Sequence, residues 1–107
     1  MFKSTQKMYN QVLVNWYQNG NDYIGPHSDD ESQLVSGSAI YSFSFGQERD
    51  FFIKAIKGNE RIVLPMPNNS LIIMGGDIQK HYKHSVPKRS TKRCPERRIN
   101  ITFRWFK

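Results

Sequence analysis

This 107-residue chain has a single cysteine, Cys94. One thiol closes no intrachain disulfide, and there is no Cys-x-x-Cys pair. Disulfide-stapled secreted domains and structural zinc fingers are thereby set aside, and a reducing intracellular compartment fits. Cys94 lies between an arginine and a proline, the setting of a loop residue rather than a nucleophile. Long apolar runs are also missing. Leu71-Ile72-Ile73-Met74, the longest aliphatic stretch, is far short of the roughly 20 residues that cross a bilayer. The start, Met1-Phe2-Lys3-Ser4-Thr5-Gln6-Lys7, lacks the apolar core of a signal peptide. A soluble protein of the cytoplasm or nucleus, with no membrane attachment, is expected. Acidic residues are few, 9 against 16 lysines and arginines, for a net charge of +7. That excess suits a polyanionic partner such as nucleic acid. It equally suits a small protein kept soluble by its charge, and composition does not choose between them.

What is present is a globular composition, 37% hydrophobic and 13% aromatic, at the length of one domain spanning residues 1–107. No repeat or low-complexity block interrupts it. Short β-type runs alternate with turn residues. Gln11 to Tyr17 reads as a strand, closed by Gln18-Asn19-Gly20-Asn21-Asp22 with Asn-Gly at its centre. Tyr23 to Asp29 is a second strand, and Glu31 to Ser38 a loop. Ala39 to Phe45 alternates. Asp50 to Ile56 and Arg61 to Pro65 form a hairpin across Lys57-Gly58-Asn59-Glu60. Ser70 to Met74, a short extended piece from His84 to Pro87, and Arg98 to Phe106 complete the set. Lys88 to Arg97 reads as an exposed basic loop, and Phe2 to Tyr9 is a short helix-compatible run. About eight close-spaced strands without a long helix indicate an all-β barrel or double-sheet jelly roll.

Two motifs fit one metal site. In a strand, residues i and i+2 share a face, so His27 and Asp29 of His27-Ser28-Asp29 are able to grip one ion. By itself His-x-Asp is a common surface pattern; its context in a β-type run, with His84 downstream, lifts it. His81 competes with His84 for the third position, and His84, just before Ser85-Val86-Pro87, is preferred. Two imidazoles and a carboxylate with open positions match the facial triad of non-haem Fe(II) oxygenases, although Mn(II) and Zn(II) take the same ligands. The second motif is Arg98-Ile99-Asn100-Ile101-Thr102-Phe103-Arg104. Arg98, Asn100, Thr102 and Arg104 form one polar stripe, with Ile99, Ile101, Phe103 and Trp105 opposite. With that apolar face packed into the core, the polar stripe would lie in the interior of a small barrel, where its two arginines suit a small dicarboxylate. Alternatively the strand simply has one wet face and the stripe meets water. Asn15 and Tyr17, also i and i+2, either join that pocket or face solvent.

Taken together, Asn15-Trp16-Tyr17 (an Asn-x-Tyr pattern), His27-Ser28-Asp29-Asp30-Glu31, Ser42-Phe43-Ser44-Phe45-Gly46, His84-Ser85-Val86-Pro87 and Arg98 to Arg104 resemble the AlkB family of Fe(II)/2-oxoglutarate dioxygenases, in its nucleic-acid demethylase branch. The resemblance runs from about Asn10 to Phe106. It implies an all-β double-stranded β-helix of two packed antiparallel sheets. It implies Fe(II) on His27, Asp29 and His84, with 2-oxoglutarate and O2 as co-substrates. Arg98, Arg104, Asn15 and Tyr17 would bind 2-oxoglutarate, supported by Asn100 and Thr102, with Arg98 on the distal carboxylate and Arg104 nearer the metal. Asp30 or Glu31 would read the exocyclic amine of a methylated base, and His27 would border it. The family's N-terminal lid is expected to be absent, leaving the C-terminal catalytic core. The implied reaction is demethylation of 1-methyladenine or 3-methylcytosine in DNA or RNA by a monomer. A related oxygenase acting on protein or a small molecule, and a non-enzymatic nucleic-acid-binding module on the same barrel, are the rival readings.

Overall fold

A computed structural model describes residues 9–29, 33–75 and 78–107. Eight strands and one short helix occur among them, in the order β1 (Gln11–Tyr17), β2 (Ile24–His27), β3 (Ile40–Gly46), β4 (Arg49–Ala55), β5 (Arg61–Met66), β6 (Ser70–Met74), α1 (Ile78–His81), β7 (Tyr82–Val86) and β8 (Arg98–Arg104). They build two four-stranded antiparallel sheets, ordered β1-β8-β3-β6 and β2-β7-β4-β5. This is the jelly-roll arrangement the alternating runs indicate. An apolar cluster of Tyr17, Ile40, Phe51, Ile53, Met66, Met74 and Val86, drawn from both sheets, holds them together.

The first sheet has inverted sidedness. On β8 the buried positions are Arg98, Asn100, Thr102 and Arg104, and on β3 they are Ile40, Ser42 and Ser44. The aromatic and aliphatic residues between them point outward. Val14, Ile101, Phe43 and Leu71 fall in one cross-strand row on the outer face, and Val12, Phe103, Tyr41 and Ile73 in the next. Val14 and Trp16 are 56% and 55% exposed. A face of this kind ordinarily packs inward. Here the interior is a polar cleft, so the polar stripe goes in and the apolar stripe goes out.

Two glycines are dictated by close approach. Gly20 donates to the Cys94 carbonyl and accepts from the Arg89 amide, both at 2.8 Å, and a Cβ on it would lie 2.6 Å from the Arg89 carbonyl oxygen. This contact pins the Lys88 to Arg97 loop to the turn after β1. Gly46 has φ of +98°, and a Cβ there would sit 2.4 Å from the Arg97 carbonyl oxygen.

Two details differ from the sequence reading. The second strand ends at His27, so Asp29 lies beyond it, and the pairing with β7 shifts register between Ile24 and His27. β7 begins at Tyr82 and is preceded by α1, a single helical turn too short to give a periodic signal. The helix-compatible run Phe2 to Tyr9 lies, except for Tyr9, outside the described residues.

Candidate metal and co-substrate site

His27 ends β2, His84 is the central residue of β7, and the two are directly paired across the strands, with ring centroids 4.2 Å apart. Asp29 follows two residues after the end of β2. A ligand atom from each of the three lies within 4.8 Å of the others. His81, the competing histidine, is exposed at the end of α1 and is not part of this group. His27 and Asp29 thus come together, but not by the i, i+2 route. Asp29 is placed by clamps on the chain after the strand rather than by strand alternation. Its backbone N–H donates to Gln79 Oε1 at 2.7 Å, and Ser28 Oγ donates to the Tyr82 carbonyl at 2.7 Å.

The protonation chemistry suits a cation. His27 Nδ1 lies 2.8 Å from the Gly25 carbonyl oxygen, which only accepts, so Nδ1 carries the proton and Nε2 of the neutral ring keeps its lone pair. His84 is pushed down to about 4, first by burial and then by neighbouring His27, against the pull of Asp29. It is therefore neutral near pH 7. Phe51 stacks on its ring at 5.4 Å. His84 Nε2 and Asp29 Oδ2 stand 3.8 Å apart, too far for a hydrogen bond. Asp29 Oδ1 accepts from Arg104 Nη2 at 3.0 Å. Two imidazole nitrogens and a carboxylate oxygen, gathered but not bonded to each other, are a donor set that fits Fe(II).

Beside this group runs the polar stripe of β8. Its side chains and the triad line one cleft between the sheets, about 420 Å³ with its open mouth, together with Asn15 and Tyr17 of β1. Tyr17 pairs with Arg98 in register, and Asn15 with Asn100. Arg98 is 2% exposed. Its Nη2 donates to Ser44 Oγ at 2.6 Å, while Nε and Nη1 are buried without a partner. Among the described residues no carboxylate pairs with it. Burial lowers its pKa, opposed by Tyr17, whose ring centroid is 5.8 Å from the guanidinium carbon. Asn100 Nδ2 donates to Ser42 Oγ at 2.6 Å and to the Phe43 carbonyl at 3.1 Å, and Thr102 Oγ1 donates to Asn100 Oδ1 at 2.9 Å. A buried cation with idle donors is costly unless an anion completes it. The cleft fits a small carboxylate.

Asp30 and Glu31 lie outside the described residues. The sequence reading left Ser42, Ser44 and Gln79 out of the site. The serines had a signal, since they alternate with Phe43 and Phe45 as the β8 stripe alternates with its isoleucines. Gln79 had none, because 50 residues separate it from Asp29.

No helix among the described residues is long and apolar enough to cross a membrane. The family model of the 2OG-Fe(II) oxygenase superfamily matches residues 3–104. The human DNA oxidative demethylase ALKBH2 is 41% identical over 108 residues, covering 94% of this chain and 41% of the relative. The rat alpha-ketoglutarate-dependent dioxygenase alkB homolog 3 is 37% identical over 111 residues, covering 95% of this chain and 37% of the relative. The chain thus spans about two-fifths of the length of these relatives. The solved structure of OsALKBH1 shares the fold at a TM-score of 0.65, with 24% identity, over 88% of this chain and 47% of that one. With the cleft, its three clustered donors and these likenesses in hand, the chain belongs to the 2OG-Fe(II) oxygenase superfamily, in the AlkB family, whose chemistry uses Fe(II), 2-oxoglutarate and O2.

Proposed function

We propose that this chain is an oxygenase core that demethylates N-alkylated bases, of the 1-methyladenine or 3-methylcytosine type, in DNA or RNA. The observation that carries the reading is Arg98, a buried guanidinium with two idle N–H groups and no carboxylate partner among the described residues, a few residues along β8 from Arg104 and its Asp29 contact. His27, Asp29 and His84 would hold Fe(II). Arg98 would take the distal carboxylate of 2-oxoglutarate, with Asn15 and Tyr17 lining the same slot, Asn100 tying β8 to β3 behind it and Thr102 holding the Asn100 amide. Arg104, anchored on Asp29, would stand nearer the metal. When bound, iron with 2-oxoglutarate and O2 supplies the oxidant that hydroxylates the N-methyl carbon, after which formaldehyde leaves the base.

The residues of the chain fix position and protonation. Gly25 orients the His27 ring, burial keeps His84 unprotonated, and Gln79 and Arg104 hold Asp29 from two sides. The reactive carbon of a methylated base has to leave its stack to reach this cleft. Asp30 and Glu31, immediately after the metal motif, would read its exocyclic amine. The Lys88 to Arg97 loop would follow phosphates. The relatives' printed names, DNA oxidative demethylase among them, support the substrate class. One chain supplies every donor of the site, which supports action as a monomer, and the lone cysteine supports a reducing cytoplasmic or nuclear setting.

Succinate and formaldehyde formed with a methylated oligonucleotide test the reading. Stoichiometric release by the wild type and none by Asp29→Ala is expected; equal turnover in the two overturns it. Under anaerobic Fe(II) and 2-oxoglutarate, the weak visible band of a chelated keto acid is expected in the wild type and absent in His84→Ala.

A further inference from the structure

The outer face of the second sheet carries a row of like charges. Lys54 on β4 is directly opposite Lys83 on β7 and directly opposite Arg61 on β5. All three are exposed. Like charges placed opposite each other across strands destabilise a sheet. No acidic side chain among the described residues pairs with any of the three. The acid on this face, Asp50, is engaged elsewhere: it accepts from Arg89 at 2.9 Å and from Arg93 at 3.3 Å. Between the two groups lies Phe52, with the guanidinium carbons of Arg61 and Arg89 standing 4.4 and 5.6 Å from its ring centroid. The ring holds Arg61 in place of a counter-ion, while Arg89 both faces the ring and pairs with Asp50.

The register also separates this face from the cleft. Phe51, Ile53 and His84 point inward, and Phe52, Lys54 and Lys83 point outward from the same strands. Neighbouring strands are about 4.8 Å apart, so Lys83, Lys54 and Arg61 form a cationic row about 10 Å long across three of them. A single small anion cannot satisfy so spread a set of charges, whereas a polymer with regularly repeated phosphates can.

We propose that this outer face, with Lys54, Lys83 and Arg61 as its centre and Arg89 and Arg93 as its flank, is a docking surface for the phosphodiester backbone of nucleic acid, remote from the base presented to the cleft. The proposal rests on the reading of the substrate as nucleic acid, but its test does not need chemistry. Binding of a fluorescein-labelled, unmethylated 20-nucleotide DNA to the full chain is followed by anisotropy across a salt series. In the triple variant Lys54→Gln, Arg61→Gln, Lys83→Gln, affinity at low salt is expected to fall at least tenfold. The slope of log affinity against log salt is expected to become shallower by about two to three, as each lost phosphate contact removes about 0.7 to 0.9. Lys54→Gln alone is expected to lower the slope by about one. Removal of repulsion leaves the triple variant's melting temperature at or above that of the wild type, so lost binding does not reflect unfolding. Unchanged affinity and slope in the triple variant overturn the proposal. So does loss of all salt-dependent binding in Lys88→Gln, Lys92→Gln, Arg97→Gln with the row intact. Wild-type binding without any demethylation counts against the catalytic reading alone and leaves this surface standing.

Discussion

Replacing Arg98 by methionine pulls stability and binding in opposite directions. The guanidinium is buried with Nε and Nη1 unpartnered, a desolvation cost that a flexible apolar side chain of similar length removes. The melting temperature of the metal-free protein is expected to rise. The affinity for 2-oxoglutarate is expected to fall about 10- to 100-fold, the equivalent of losing charge-assisted hydrogen bonds of about 1.5–3 kcal/mol. Thermal melts and co-substrate titration of the one variant read both signs. His84 sets a pH dependence. Its folded pKa, about 4, lies below its ordinary 6.5, so between those values the unfolded chain binds the extra proton. This group's contribution to the stability of the metal-free fold is therefore full above pH 6.5 and is lost as pH falls toward 4. Denaturant melts across that window are expected to show the decline, with a flatter profile in His84→Gln.

At the scale of elements, the single turn α1 matters through one side chain. Gln79 is buried, and its amide oxygen receives the Asp29 N–H while its Nε2 faces Met74 Sδ at 3.7 Å. Gln79→Leu leaves that N–H without an acceptor and loosens the segment carrying Asp29. Groups that orient metal ligands are worth about 10- to 100-fold in metal affinity, and a loss of that size in Co(II) titration is the expected result. A Gln79→Glu variant, which keeps an acceptor oxygen, is expected to recover part of it. These elements were unequally legible in the sequence. β1 and β6 read to the residue, because each is a short β-type run closed by turn-forming residues. α1 did not, because four residues carry no period. The polar stripe was visible as a stripe, yet alternation says only that two faces differ. Which face is inside was decided by the sheet that packs against it, through Phe51, Ile53 and Val86, residues far away in sequence. For the same reason His27, Asp29 and His84 were readable as ligand types, while the clamps that gather them were not.

At the scale of the molecule, the first sheet turns its apolar side outward. Val12, Val14, Trp16, Leu71 and Ile73 are all exposed on one face, with Ile101, Phe43 and Phe103 half-buried among them. Contiguous apolar surface of this kind takes up hydrophobic dyes. Strong 1-anilinonaphthalene-8-sulfonate fluorescence is expected from the native chain. A Val14→Thr, Trp16→Gln, Ile73→Thr variant is expected to lose most of it while holding Co(II) unchanged. Half of this sandwich therefore stores its hydrophilic chemistry within and wears its grease outside. A redesign that sorted residues by hydropathy would swap the two, producing a better-behaved protein in solution with nothing left in its lumen to grip an anion.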